Sequence, residues 1–432
     1  MRLRTSDLAM AVGGRLDGPD VIVDGASQDS RAITPGQLFV PMVAERDGHD
    51  FIAAALANGA TAYLTTGRVE GATAIVVADT LVALQAAGRH ARSLLPPPVI
   101  GVTGSVGKSS VKDLLAAVLR ERFATAASVR SFNNEMGVPL TLLGAPDGTE
   151  ATVVEMGARG VGHVAALCAI ASPTIGIVTR VAAVHTEVFG TIEGVARAKG
   201  ELVEALPSDG AAVLFAADHR VAAMAARTSA RVLSYGDGGD VCAEAIELSA
   251  DLVPRFRLVS PWGSDDVVLT VRGIHQVDNA LGAAAAALVA GQDLPSVVAG
   301  LARGVLSPWR MELATAPGGA VVLNDAYNAN PTSVAAALRS LAALPARRRI
   351  AVLGVMAELG SFEADEHAAI GVLAAELGIR VISVAAPGYG AEDVPHLDAA
   401  LVLLGAVGAG DAILVKGSRV AGLERLAAAL LM

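Results

Sequence analysis

The chain places a lysine and a serine where those two side chains handle phosphate. Between Val99 and Leu115 a short apolar run enters a turn containing Gly101, Gly104 and Gly107, and the turn opens through Lys108 and Ser109 into an amphipathic stretch. Glycines there permit backbone conformations that a side chain hinders, so successive N–H groups point at phosphate oxygens with the positive end of a helix behind them. A lysine in this place reaches the β- and γ-phosphates, and the serine hydroxyl reaches magnesium. The strict pattern G-x-x-x-x-G-K-[ST] is not met, because Val102 stands where its first glycine belongs. Strand, Gly107-Lys108-Ser109 and helix in that order still point to a nucleoside triphosphate, held by Thr103, Gly104, Ser105, Val106, Gly107, Lys108, Ser109 and Ser110.

Other polar groups fall where strands are expected to end. Glu155 directly follows an apolar run over 152–154, and His185 follows the run 174–178 by one loop. Ligands of parallel sheets gather at the carboxyl ends of strands, and a triphosphate needs hard ligands for magnesium, so both residues are candidates for the phosphate site. Lys199 sits in a helical pattern and taken alone reads as an exposed helix lysine. The segment 273–279, which includes Gln276 and Asn279, either caps the alanine-rich helix after it or presents amides to a base or ribose. Near the N-terminus, Ser30 and Arg31, and then Asp47, Gly48 and His49, offer hydroxyl, guanidinium and imidazole groups suited to a sugar or nucleotide diphosphate. Asp325, Tyr327, Asn328, Asn330, Glu358, Lys416, Ser418 and Arg419 cluster beyond strands of the last third.

Those groups need scaffolds. At 432 residues the chain exceeds one ordinary core, and 53% hydrophobic with only 3% aromatic residues means cores of Ala, Val and Leu. A small mixed unit is expected first, with a helix over 5–12 and strands over 21–23, 38–40 and 62–65. Pro96-Pro97-Pro98 is a stiff linker. Strand-like and helical runs then alternate, the βαβ rhythm of a mostly parallel sheet, up to Leu306-Ser307-Pro308. The rhythm resumes with strands over 321–323, 350–353, 381–384 and 412–415. The expectation is an α/β chain of three domains: a small mixed α/β domain over 1–97, a central P-loop ATPase with a doubly wound sheet over 98–308, and a Rossmann-like domain over 309–432.

A formal net charge of −10 argues against a nucleic-acid-binding surface. Cys168 and Cys242 fall in no metal-ligand spacing and suggest a reducing compartment. The start lacks the apolar core of a signal peptide, so a cytoplasmic protein is expected. The run 160–179 has no formally charged residue, yet His163 and the Ser172-Pro173 break exclude a membrane span there.

Taken together the motifs resemble the Mur ligases, ATP-dependent amide-bond-forming enzymes of peptidoglycan synthesis. The resemblance runs from Asp29-Ser30-Arg31 to Lys416-Gly417-Ser418-Arg419. The segments 133–143, 154–158 and 327–331 look like the branch that adds D-alanyl-D-alanine, and the Asp-Asn-Pro-Arg signature of the diaminopimelate-adding branch is absent. The resemblance implies ATP and Mg2+ as cofactors, with Lys108 and Ser109 on the triphosphate and one magnesium, Glu155 on that metal and His185 on a second. It implies a carbamate on Lys199 as a further oxygen ligand. It makes Asn279, Asp325 and Arg310 nucleotide contacts. The first-domain residues Ser30, Arg31, Asp47, Gly48 and His49 would grip a UDP-N-acetylmuramoyl-tripeptide, and Tyr327, Asn328, Asn330, Lys416, Ser418 and Arg419, with Asn134, would complete the substrate site and orient D-Ala-D-Ala. A monomer is expected. Gln276, Trp309, Phe215 and Val355 depart from the family pattern, where Asn, Gly, Asn and Asp are usual.

The implied reaction turns the tripeptide's terminal carboxylate into an acyl phosphate that the dipeptide amine attacks, with the outer domains closing on the central one. Two readings compete with it: a different ligase of the same family, such as folylpolyglutamate synthetase, and a nucleotide-binding scaffold without turnover. Glu155, His185 and Lys199 exceed what the scaffold would need.

Overall fold

The computed structural model describes residues 1–67, 69, 71–129, 132–182 and 189–432. At its centre lies a parallel sheet in the spatial order Arg231–Tyr235, Ala211–Phe215, Ile175–Val178, Val99–Thr103, Ala151–Glu155, Thr125–Ala127. All five residues of Val99–Thr103 are buried, as expected for a parallel strand covered on both faces. The chain leaves this strand to build neighbours on one side and then crosses to build the other. The phosphate loop therefore sits at the point where the strand order reverses, which is where open α/β sheets bind ligands.

Helix Lys108–Leu119 follows the loop and packs against helix Gln276–Val289. Ala280, Ala283, Ala284, Ala285, Ala286 and Ala287 are fully buried in the second helix, and such small side chains let the two helices approach closely. This helix begins at Gln276 rather than at 280, so Asn279 stands in its first turn. The charge-free run divides into helix His163–Ala171 and strand Ile175–Val178. Among the described residues no helix is long and apolar enough to cross a membrane.

Ahead of the central sheet, Ala26–Ser27, Leu38–Phe39, Ala62–Thr65 and Thr73–Val76 form a parallel run edged by antiparallel Arg15–Asp17. Helix Thr80–Leu94 packs against Gly137–Leu143 and His163–Ala171, and one apolar core runs from Met1 through Leu301. The βα rhythm did not anticipate the antiparallel sheet of Cys242–Leu248, Pro254–Ser260 and Gly263–Val268. Its signature is a period of two: Phe256 and Leu258 face inward while Arg255 and Arg257 face out.

The last sheet runs Glu312–Thr315, Val321–Asn324, Asp411–Lys416, Arg348–Gly354, Arg380–Val384, Glu392–Val394, parallel except for its first strand. Separate apolar clusters lie on its two faces, beneath helices such as Pro331–Ala343 and Glu424–Leu430. Strand Asp411–Lys416, last in sequence, is inserted between the first two parallel strands, so Asp325, Val355 and Gly417 all follow carboxyl ends of neighbouring strands.

Candidate active site

The phosphate loop takes its shape from two glycines. Gly104 has φ +145° and Gly107 φ +90°, both in the region that side chains rarely occupy. A Cβ on Gly104 would collide with the Thr179 hydroxyl, and one on Gly107 would lie 2.5 Å from Asn279 Oδ1. The loop is tied down by the Ser105 N–H donating to the Arg180 carbonyl at 2.7 Å and by Thr179 Oγ1 donating to the Val106 carbonyl at 2.6 Å. Gly104→Ala is expected to weaken binding of an ATP analogue about tenfold, since forcing an L-residue into such a conformation costs about 1–2 kcal/mol. Calorimetric titration checks it, and adding Thr179→Ala should recover only the part due to the clash.

Lys108 Nζ donates to the Gly104 carbonyl at 2.7 Å and to that of Ser105 at 3.3 Å, so the ammonium lies across the loop. Half-buried by surface yet set deep among protein atoms, it has its pKa pulled below the ordinary lysine value by desolvation. Glu155 opposes the shift and Arg310 adds to it. Ser109 and Ser110 are buried in the first helical turn, where backbone N–H groups lack helical partners.

Glu155 ends its strand, registered against Val102 beside the loop, and is 1% exposed. Its Oε1 accepts from the Asn133 amide at 2.8 Å, while Oε2 is buried with no hydrogen-bond partner. A buried carboxylate oxygen left unpaired is costly. It suits a hard cation, and magnesium typically takes one or two carboxylates and fills its octahedron with phosphate and water. Among the described residues no group of three or more His, Cys, Asp or Glu could hold a metal ion. His185, the expected second metal ligand, lies outside the described residues.

Lys199, on helix Ile192–Glu204, is 2% exposed rather than a surface lysine. Burial first, and then the positive charge of Lys108, hold its pKa well below the usual value, with Glu155 and Glu201 pulling the other way. A lysine so placed gives up its proton more readily than a surface lysine, and the unprotonated amine is the form that adds carbon dioxide.

On the far side of the loop, His275 begins helix Gln276–Val289 without a side-chain cap. Asn279 Nδ2 donates to Gln276 Oε1 at 2.8 Å. His275 is pushed down to about 4 by burial, and its Nδ1 has no hydrogen-bond partner. Arg180 pairs with Asp278 at 3.1 Å and lies over the Phe215 ring, 4.7 Å from its centroid. Sequence reasoning assigned no role to Asn133, Arg180 or His275. The rule that found Glu155 also marks Arg180, which lies just past the carboxyl end of Ile175–Val178.

The second sheet supplies the opposite wall. Lys416 Nζ donates to Asp325 Oδ2 at 2.5 Å and to the Asn328 carbonyl at 2.8 Å, so it fixes the strand-end loop. Asp325 Oδ1 accepts from the Met311 N–H at 3.2 Å. Arg310 lies 4.1 Å over the Tyr327 ring with its Nε unpaired. Asn330 caps helix Pro331–Ala343 reciprocally with Ser333, and Asn134 Oδ1 caps Gly137–Leu143 through the N–H groups of Met136 and Gly137. Ser418 Oγ accepts from the Ala357 N–H at 2.9 Å and donates to the Ala329 carbonyl. A single cavity of about 870 Å³ is lined by Gly104 to Ser110, Asn134, Glu155, Lys199 and Asn279 on one side. Arg310, Asp325, Tyr327, Asn328, Asn330, Lys416, Ser418 and Arg419 line the other.

Thr103 lies beneath the loop, its hydroxyl donating to the Met156 carbonyl at 2.7 Å. Ser30, Arg31, Asp47, Gly48 and His49 do not line this cavity. They follow carboxyl ends of the parallel strands in the first sheet. Arg31 leans on Asp29 at 2.9 Å, and His49 bridges Asp47 at 2.6 Å and the Thr66 N–H at 3.2 Å.

The chain is similar to known proteins along its whole length. Residues 102–287 match the family described as Mur ligase middle domain, and residues 309–419 match Mur ligase, glutamate ligase domain. The chain is 39% identical over 499 aligned positions to the UDP-N-acetylmuramoyl-tripeptide--D-alanyl-D-alanine ligase of Mycobacterium bovis, covering 100% of this chain and 98% of that one. A crystal structure of MurF from Acinetobacter baumannii superposes with a TM-score of 0.90 at 30% identity, covering 100% of this chain and 99% of that one. The MurF ligase of Thermotoga maritima, solved in complex with ADP, gives a TM-score of 0.82 at 26% identity, covering 94% of this chain and 96% of that one.

Proposed function

This chain belongs to the Mur ligase family, and from that premise we propose that it joins D-alanyl-D-alanine to UDP-N-acetylmuramoyl-tripeptide with cleavage of ATP, in the synthesis of peptidoglycan precursor. The observation that carries the reading is the one cavity walled by the carboxyl ends of two sheets. The phosphate loop, Glu155 and Lys199 occupy one wall, and a second polar wall faces them. Mere nucleotide binding would not require the second wall.

The division of labour follows the sheets. Residues 1–97 hold the UDP-sugar through Ser30, Arg31, Asp47, Gly48 and His49; residues 98–308 hold ATP; residues 309–432 bring D-Ala-D-Ala. Asn279 meets the base, Asp325 the ribose, and Arg310 a phosphate. Tyr327, Asn328, Asn330, Ser418 and Arg419, with Asn134, line the peptide end, and Lys416 holds that end in shape. The reading takes the enzyme as a monomer that works in the cytoplasm.

A carboxylate does not react usefully with an amine, because its oxygen is a poor leaving group. A tripeptide carboxylate oxygen attacks the γ-phosphorus and ADP departs. The dipeptide amine then attacks the acyl carbon, inorganic phosphate departs, and the nitrogen loses its proton. Lys108 and the loop amides offset charge on the transferring phosphoryl group, and both walls hold the reactants in line. Ser109 and Glu155 Oε2 would hold Mg2+, which when bound stabilises negative charge on phosphate oxygens.

Lys199 carries a carbamate in this reading, supported by its burial and its lowered pKa. Carbamylation needs the neutral amine, so it grows as pH rises and reverses as acid protonates the lysine. Stripping carbon dioxide at pH 6 is expected to lower turnover at least about tenfold, and bicarbonate at pH 8 to restore it. A 13C-bicarbonate carbonyl signal should appear in the protein and vanish in Lys199→Arg; no signal in either would remove the carbamate.

The whole reading is tested by incubating the protein with ATP, Mg2+, UDP-muramoyl-tripeptide and D-Ala-D-Ala, each omitted in turn. UDP-pentapeptide and matching phosphate are expected only in the complete mixture. ATP binding without product from either the diaminopimelate or the lysine tripeptide would overturn it.

A further inference from the structure

Trp309 has φ +61°, a left-handed conformation that an aromatic residue rarely takes and glycine takes freely. It is held there from both sides. Its N–H donates to Glu312 Oε1 at 2.9 Å, and its carbonyl accepts from the Tyr327 N–H at 3.2 Å. The Arg419 guanidinium lies over the Trp309 ring, 4.4 Å from its centroid. Glu424 Oε1 contacts the same guanidinium at 3.2 Å. Arg419 is thus gripped between a ring and a carboxylate at the cavity wall. Strained backbone of this kind persists where the surrounding structure over-determines it, and such places cluster at functional sites.

We propose that Trp309 is a positioning residue: its indole face sets where the Arg419 guanidinium stands at the peptide end of the cavity, and through it the affinity for the carboxylate of D-Ala-D-Ala. The inference rests on the reading of Arg419 as a dipeptide contact. An arginine that must meet one carboxylate gains from being held, because less freedom is lost on binding. Glu424 meets one end of the guanidinium, and the ring lies against it.

Trp309→Gly suits the backbone at this position, so loss of folding does not confuse the test. It is expected to raise KM for D-Ala-D-Ala about 2- to 5-fold, the range lost with a cation–π contact to an exposed guanidinium, while kcat, KM for ATP and melting temperature stay put. Trp309→Phe, which keeps a smaller aromatic face, should recover part of the loss. The chain has two tryptophans, and Trp262 lies on the antiparallel sheet outside the cavity lining. In Trp262→Phe, emission from Trp309 is expected to shift when D-Ala-D-Ala joins the protein with UDP-tripeptide and a non-hydrolysable ATP analogue. If Arg419→Ala raises KM for the dipeptide and Trp309→Gly does not, this inference falls and the ligase reading survives. If Trp309→Gly raises both KM values and lowers the melting temperature, Trp309 is merely structural and the inference falls as well. If Arg419→Ala leaves KM unchanged while product still forms, the dipeptide role of Arg419 fails and takes this inference with it. Absence of product from the unaltered protein would instead overturn the ligase reading.

Discussion

Lys108→Ala is expected to lower kcat/KM by about 10²–10³-fold, roughly 3–4 kcal/mol of lost transition-state stabilisation, the scale seen when one preorganised donor is removed from a charged transition state. The expectation follows from where the ammonium sits. It bridges the carbonyls of Gly104 and Ser105 inside the loop, next to Glu155 and Arg310. Among the described residues Lys108 donates only to those two backbone carbonyls and forms no salt bridge, so the melting temperature should move far less than the turnover. Phosphate release measured beside thermal unfolding separates the two effects. Lys108→Arg should recover little, because the wider guanidinium does not fit a loop closed around Gly104 and Gly107. Retained turnover in Lys108→Ala would mean that this loop does not carry the transferred phosphate.

Glu155→Gln should lower turnover about 10²–10³-fold, because the amide no longer offers a charged oxygen to a cation. In the folded chain Glu155 Oε2 is buried with no hydrogen-bond partner, so the loss should appear as a raised magnesium requirement in titrations of turnover against the metal. Asn133→Ala, which removes the donor orienting Oε1, should raise the magnesium requirement about 10–100-fold. Full activity in Glu155→Gln would remove the carboxylate from the metal site.

Local chemistry made the central machinery legible in the sequence. A glycine-rich turn between a five-residue apolar run and a helix has few structural solutions, and Glu155 follows from the rule that parallel sheets bind at carboxyl ends of strands. The fold class was legible for the same reason, since strand and helix alternate over most of the chain. Pairings across long separations were not. Asp325 and Lys416 each look like ligand contacts by type, yet they meet each other across 91 residues. Nor does type alone distinguish binding amides from capping ones: Asn134 and Asn330 line the cavity and cap helices at once. The antiparallel sheet that includes Pro254–Ser260 was hidden by reading a period-two segment through the lens of a βα repeat. Trp309 reads as a loss when glycine is the usual residue, and neither its left-handed backbone nor the Arg419 guanidinium over its ring is legible from residue type.

In the proposed reaction one cavity transfers phosphate to the tripeptide carboxylate before the amine arrives. That transfer is tested most directly by labelling both oxygens of that carboxylate with 18O and analysing the inorganic phosphate released during UDP-pentapeptide formation. One 18O is expected in each phosphate and one retained in the new amide carbonyl. Unlabelled phosphate alongside normal product would contradict it, because the carboxylate oxygen would then never have been bonded to phosphorus.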